Sequence, residues 1–478
     1  MEFLFVDGKE VSNQSRRLIR SHVMKGKNLG KTIHRPSRRS PARATTTQAV
    51  QFVTKAPETQ QQNARTGGDD QDCLIGDRSP GETITDITFP VGHRFSSVGL
   101  PIEVNPYMRR FITHFFTMLE ASLYPPEICL LQNRSIWLQY MMTDEAFLHC
   151  TLATVATCAK CFYDIEAENS PEALMYLSKA FRLLNEKLSG PRAIWSDEIV
   201  ASIVSLSIRD QLRGDYGKGR VHLDGLLRII SLRGGFHRVT KVELVQKICR
   251  TDIDVSLHDG TRPRLQYSAP NRLLPLLGPS RWRSRSRLSE LILERPDSSV
   301  LDSIILDLDS IMGFLNQTST LDKLSPQVYQ DTVLGLCYRL LECGPLNGSR
   351  PADALVNAVH IGLTAFMTTF VIPFGRRRRV RFAALSTCLT EAIQNQSWTF
   401  EDSHQGFLVW LLVISGMTMF DQEDRIWLLP MIRRTAFKLG IGTWDELLSY
   451  VMKYPWVRKL HDNAAKELWD EVNLVEVC

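Results

Sequence analysis

From Pro101 to the end of the chain, apolar residues return at intervals of three and four, and most runs open on residues that start helices. Asn105 and Pro106 precede a stripe of Met108, Phe111, Ile112, Phe115, Met118 and Leu119. Thr143, with Asp144 and Glu145 behind it, is expected to cap "AFLHCTLATVATCAKCF". Ser170, Pro171 and Glu172 open "ALMYLSKAFRLLNEKL", which Ser189 and Gly190 close, and Ser196, Asp197 and Glu198 start the next run. Ser325 and Pro326 repeat the device before "QVYQDTVLGLCYRLLE", and Thr443 heads "WDELLSYVMKY". The period-two alternation of strands is almost absent, and no fixed-period repeat survives a scan. The prediction is an all-α chain: a large irregular helical-hairpin domain over residues 101–478, with a poorly ordered insertion at "RPRLQYSAPNRLLPLLGPSRWRSRSR".

The first hundred residues lack this periodicity. Residues 1–45 read as a disordered basic arm, and 46–100 as a disordered linker rich in Thr, Gln, Gly and acid, unable to bury enough apolar surface to offset ordering entropy. Composition over the 478 residues is that of a globular protein, 44% hydrophobic and 23% charged. The net charge of +5 is mild, but its placement is not. Val11 to Pro57 contains no Asp or Glu, while Arg16, Arg17, Arg20, Lys25, Lys27, Lys31, Arg35, Arg38, Arg39 and Arg43 crowd into it. Such a run meets a polyanion through counterion release, with little dependence on base sequence. The candidate nucleic-acid contacts are therefore the cations from Arg16 to Arg39. A targeting leader is the plainer role for the same charges.

A zinc-organised DNA reader is not expected, because no cysteine precedes Cys73 and only His22 and His34 accompany the arm. The ten cysteines are scattered among apolar neighbours, and "MEFLFVDGKE" breaks off before a secretory apolar region forms. Both point to a reducing compartment and to thiols that act as small buried hydrophobes. Cys150, Cys158 and Cys161 beside His149 suggest metal spacing. On a continuous helix, however, Cys150 and Cys158 stand about 12 Å apart along the axis, too far to share an ion.

"GDYGKG" from Gly214 to Gly219 lacks the Lys-Ser or Lys-Thr of a phosphate loop and follows a helical run, so a turn between helices is expected. His258 and Asp259 read as a helix end. With no Gly-x-Ser-x-Gly elbow and no His-Glu-x-x-His helix, no catalytic residue, metal or cofactor is predicted.

Ala354 to Phe374 carries no formal charge over a bilayer-spanning length, and Arg376, Arg377, Arg378 and Arg379 follow it. Asn357, His360, Thr364, Thr368 and Thr369 dilute the segment, so a helix buried within a bundle is expected and no membrane partner. The arginine cluster reads equally as a nuclear import signal, a phosphate contact, or a solvated loop offsetting the negative end of a helix dipole.

"GRVHLDGLLRIISLRGGF", from Gly219 to Phe236, presents a helix with Val221, Leu223, Leu226, Leu227 and Ile230 expected on one side, stopped by Gly234 and Gly235. His222, Gly225, Leu226, Arg233, Gly234 and Gly235 carry a resemblance: with "EALMYLSKAFRLLNEKLSG" and "SDEIVASIVSLSIRDQLRGDY" ahead of it, the stretch resembles the fungal-specific transcription factor domain of the second type. "GFLVWLLVISG", "DRIWLLPMIRRTAFKLGIGTWDELLSYVMKYPWV" and "ELWDEV" are similar to the closing helices of that family, and residues 3–27 to the opening of fungal regulator-like proteins. The resemblance implies an all-helical regulatory domain of the nucleus, often downstream of a binuclear zinc cluster, which this chain lacks. It implies a transcription regulator rather than an enzyme; together with the charge of the arm, it makes DNA bound non-specifically, other regulatory proteins and a small-molecule effector the candidate partners. The alternative is an interaction protein that does not bind DNA and modulates other regulators.

Overall fold

A computed structural model describes residues 99–474, apart from internal stretches of which 164–170, 268–285, 372–381 and 395–401 are the longest. The arm, nearly all of the linker and the centre of the expected insertion lie outside the described residues. Among the described residues fifteen α-helices have defined bounds: α1 Ile136–Thr143, α2 Glu145–Tyr163, α3 Pro171–Leu188, α4 Asp197–Leu212, α5 Tyr216–Leu232, α6 Val242–Asp259, α7 Arg287–Ile292, α8 Ser299–Gln317, α9 Pro326–Cys343, α10 Ala354–Val371, α11 Ala383–Gln394, α12 Asp402–Thr418, α13 Gln422–Lys438, α14 Trp444–Val451 and α15 Arg458–Leu474. Among the described residues there is no strand, and an isolated bridge joins Cys129 to Leu324. The all-α expectation holds.

Local chemistry explains several helix starts. The Ser325 hydroxyl accepts from the Val328 amide at 3.3 Å, with Pro326 at the first helical position, where its missing N–H costs nothing. Ser196 accepts from Ile199 at 3.2 Å, and Thr443 forms a full capping box with Glu446. Thr143 departs from expectation. It closes α1, its hydroxyl donating back to the Gln139 carbonyl, while the Asp144 carboxylate one residue later accepts from Phe147 at 2.9 Å and heads α2. Met108 and Ile112 are buried as their stripe predicts; Phe111, Met118 and Leu119 lie outside the described residues.

Helices α2 to α5 pack as neighbours, α2 against α3 and α4, and α4 against α5. Helix α6 joins this group to the rest, touching α4 and α5 on one side and α9 and α11 on another. Helix α10 occupies the centre of the second group, against α7, α9, α11 and α12. Burial on nearly every side accounts for its charge-free sequence, and several of its polar groups bond internally, while Asn357 Oδ1 and His360 Nδ1 are buried without a hydrogen-bond partner among the described residues. The His360 Nε2 lies 2.8 Å from the Leu340 carbonyl, and Thr364 donates to the His360 carbonyl at 2.8 Å. Gly362 lets α12 approach, since a Cβ there would stand 3.0 Å from both Leu411 and Trp410. Among the described residues no helix is long and apolar enough to cross a membrane.

Candidate functional site

The α4–α5 hairpin gathers the sequence-predicted motif. Helix α4 ends at Leu212, Gly214 turns the chain with φ of 77°, and the Asp215 carboxylate accepts from the Lys218 amide to start α5. "GDYGKG" is thus a tight turn followed at once by a first helical turn, not a loop throughout. Gly219 has a packing role: a Cβ there would meet Gln211 at 3.2 Å and the Ser207 carbonyl at 3.4 Å, and Ser207 donates to the Gly219 carbonyl at 2.9 Å.

Two polar anchors then tie α5 to α4. Near the start of α5, the His222 Nε2 lies 3.1 Å from Asp210 Oδ2, while Arg209 donates to Asp210 Oδ1 at 2.7 Å, and all three side chains are buried. Phe181 of α3 stacks on the His222 ring with centroids 6.4 Å apart. Just past the other end, Arg233 spreads its guanidinium over three acceptors that precede or open α4. Nη1 donates to Asp197 at 2.8 Å, Nη2 to the Ser196 carbonyl at 2.6 Å, and Nε to the Ile194 carbonyl. The planar fork of donors suits an arginine here and not a lysine.

Gly234 and Gly235 follow with φ of 98° and 115°, and the Gly235 amide returns to the Ile230 carbonyl at 3.0 Å. Leu226 is fully buried between the anchors and Gly225 half-buried. The expected apolar side of α5 needs one correction. Val221 is 61% exposed, and His222, Ile229 and Ile230 face inward with Leu223 and Leu226. The anchors rotate α5 so that a histidine takes the place a valine was expected to hold.

Residues 107–261 match the family model of the fungal specific transcription factor domain. The match points to a fungal transcription regulator, and that family is not an enzymatic one. No curated protein and no solved structure matches the chain. The matched stretch ends at Thr261, just past α6, and so contains the whole α4–α5 hairpin with both anchors. The closing helices that carried part of the resemblance lie beyond it.

Helix α6, the last of the matched stretch, carries a polar face that sequence reading missed. Asp252 accepts from the amides of Arg264 and Leu265 and from the Tyr338 hydroxyl, at 3.0, 2.9 and 3.0 Å, pinning the chain that leaves the domain. Gln246 and Tyr267 both donate to Asp331 of α9 at 2.9 Å. Lys247, Arg250 and Asp254 share one flank of α6 at helical spacing. Burial pushes the Lys247 ammonium down to about 7 and the Asp254 carboxyl up to about 7, and Lys247 lies 5.9 Å from the Trp137 ring centroid. The available signal was charged residues recurring at three and four positions inside "VELVQKICRTDIDVSL", which ordinarily marks a solvated face.

His258 and Asp259 end α6 against Gly260 in the left-handed region. His258 stacks flat on Tyr216 with centroids 3.6 Å apart, and Arg220 pairs with Asp259 at 3.0 Å. Cys129, Cys150, Cys249, Cys337 and Cys388 are buried, and burial pushes the Cys150 thiol up to about 12. Among the described residues no three His, Cys, Asp or Glu side chains are placed to hold a metal. An apolar cavity between α8, α9 and α10, lined in part by Met312, Tyr329 and Met367, encloses about 10 Å³, the room of a single water. The cations from Arg16 to Arg39 and the cluster Arg376 to Arg379 lie outside the described residues.

Proposed function

We propose that the chain is a nuclear fungal transcription regulator whose helical body carries the regulatory contacts, while its basic arm provides non-specific DNA attachment or nuclear import. The family match over residues 107–261 supports the first half of this reading. The acid-free arm supports the second, since Lys and Arg that neutralise phosphates release counterions without any folded reading head. A small-molecule effector would need more room than the apolar cavity between α8, α9 and α10 offers. An interaction protein without DNA binding is the second reading, favoured by Val221 and Trp195, which are 61% and 59% exposed on the matched domain.

A salt titration of DNA binding separates the two. Full-length protein is compared with a full-length variant carrying Gln at the arm cations from Arg16 to Arg39. Each phosphate contact removed should flatten the slope of log K against log salt by about 0.9. Equal slopes and affinities remove the arm from DNA attachment, and no binding by either protein favours the second reading. Fluorescence microscopy of the same pair, with Arg376 to Arg379 changed to Ala in a third protein, reports import.

A further inference from the structure

The outward face of α13 presents apolar side chains that nothing among the described residues covers. Ile426 is 79% exposed, Phe437 is 86% exposed, and Pro430 between them is also exposed. The opposite face, with Leu428, Ile432 and Ala436 buried, packs on α12 and α15, so the orientation of the helix is already settled. One exposed phenylalanine needs no explanation. Here, however, residues 426, 430, 433 and 437 are spaced by four, three and four, the period that seats one helix along another.

The charges flanking this row are polarised along the axis. Glu423 and Asp424 stand in the first turn, with Arg433, Arg434 and Lys438 near the other end. Glu423, Arg434 and Lys438 are exposed and form no ion pair among the described residues. A foreign helix of one charge sign complements one end and is repelled at the other. A helix with the same polarity complements both ends when it runs antiparallel, and a two-fold axis produces that arrangement from identical chains.

We propose that α13 is the seam of an antiparallel homodimer, with a second copy of this chain as the occupant of its outer face. A two-fold axis between Pro430 and Arg433 sets Ile426 against Phe437 of the partner subunit at both ends of the seam. It also places Glu423 beside Lys438 of the partner subunit, twice. A seam one helix wide is smaller than the roughly 1,600 Å² of a standard interface, and we expect an association on the order of micromolar. It stands whether or not the arm binds DNA.

Sedimentation velocity on the full chain, over about 1 to 100 µM, tests the seam in the range expected for so small an interface. A concentration-dependent monomer–dimer equilibrium is the expected result. Phe437→Glu should weaken it at least tenfold while leaving the circular dichroism spectrum unchanged, because that side chain touches little of its own subunit. Glu423→Lys alone should weaken the dimer and steepen the loss at low salt. Adding Lys438→Glu should restore it, since the swapped charges again face their opposites. A chain that stays monomeric throughout, a dimer indifferent to Phe437→Glu, or a double charge swap no tighter than the single one overturns the proposal.

Discussion

Replacing Arg233 with Ala should be among the most damaging single changes in the matched domain, and the structure sets the size of the effect. The Arg233 side chain is 2% exposed and donates to the Ile194 carbonyl, the Ser196 carbonyl and Asp197. Truncation leaves two carbonyls without this partner and one carboxylate without its buried counter-ion. Hydrogen bonds to charged groups are worth about 1.5–3 kcal/mol each, and breaking one side of a buried ion pair costs about 3–5 kcal/mol. The three bonds do not simply add. Asp197 is 21% exposed and retains Lys241 at 3.5 Å, so water and lysine recover part of its loss. We expect about 3–4 kcal/mol for Arg233→Ala and only slightly less for Arg233→Lys, whose ammonium cannot reproduce the fork.

Urea unfolding of the full chain followed by far-ultraviolet circular dichroism measures this. A double-mutant cycle with Asp197→Ala should then give a coupling of about 1–3 kcal/mol. Hydrogen exchange supplies the local reading: amides in the first turns of α4 should lose protection before those of α10. If Arg233→Ala costs under about 1 kcal/mol, the clamp is not what holds the two helices together, and the scale of a buried charged network does not apply to it.

Gly235 has φ of 115° and ψ of 170°, a region that essentially only glycine enters, so Gly235→Ala should cost about 1–3 kcal/mol by the same unfolding assay. The flank of α6 formed by Lys247 and Asp254 should give stability an uncommon pH profile. Burial raises Asp254 to about 7, so the folded state binds an extra proton from roughly pH 4 to 7 and stability falls with rising pH across that window. Burial lowers Lys247 to about 7, so the folded state binds one proton fewer from pH 7 to roughly 10 and stability rises there. Their joint contribution is a shallow minimum near neutrality, seen as a dip in urea midpoint against pH. A Lys247→Met, Asp254→Asn variant that keeps the dip refutes this origin.

The helical class and several helix starts were legible because their causes are local. Ser196, Ser325 and Thr443 each satisfy an amide three residues ahead, and such a bond forms whatever the helix later packs against. Even the misplaced cap at Thr143 missed by one residue, since Thr and Asp are both good caps and stand side by side. The family motif was legible as a string of residues, but its structural part was not. His222 finds its partner twelve residues back on α4, and Arg233 finds its acceptors ahead of that same helix, so neither contact follows from periodicity.

By itself, then, the sequence determined that this protein is helical, where several of its helices begin, and that positive charge gathers in an acid-free leader. Tertiary packing alone decided that Val221 faces water while His222 does not, and that α9 and Trp137 close over the charged flank of α6. It also decided that α13 keeps Ile426 and Phe437 outside. Hydrogen bonds within a turn depend on residues four positions apart at most, whereas the side a helix buries depends on which distant helix reaches it.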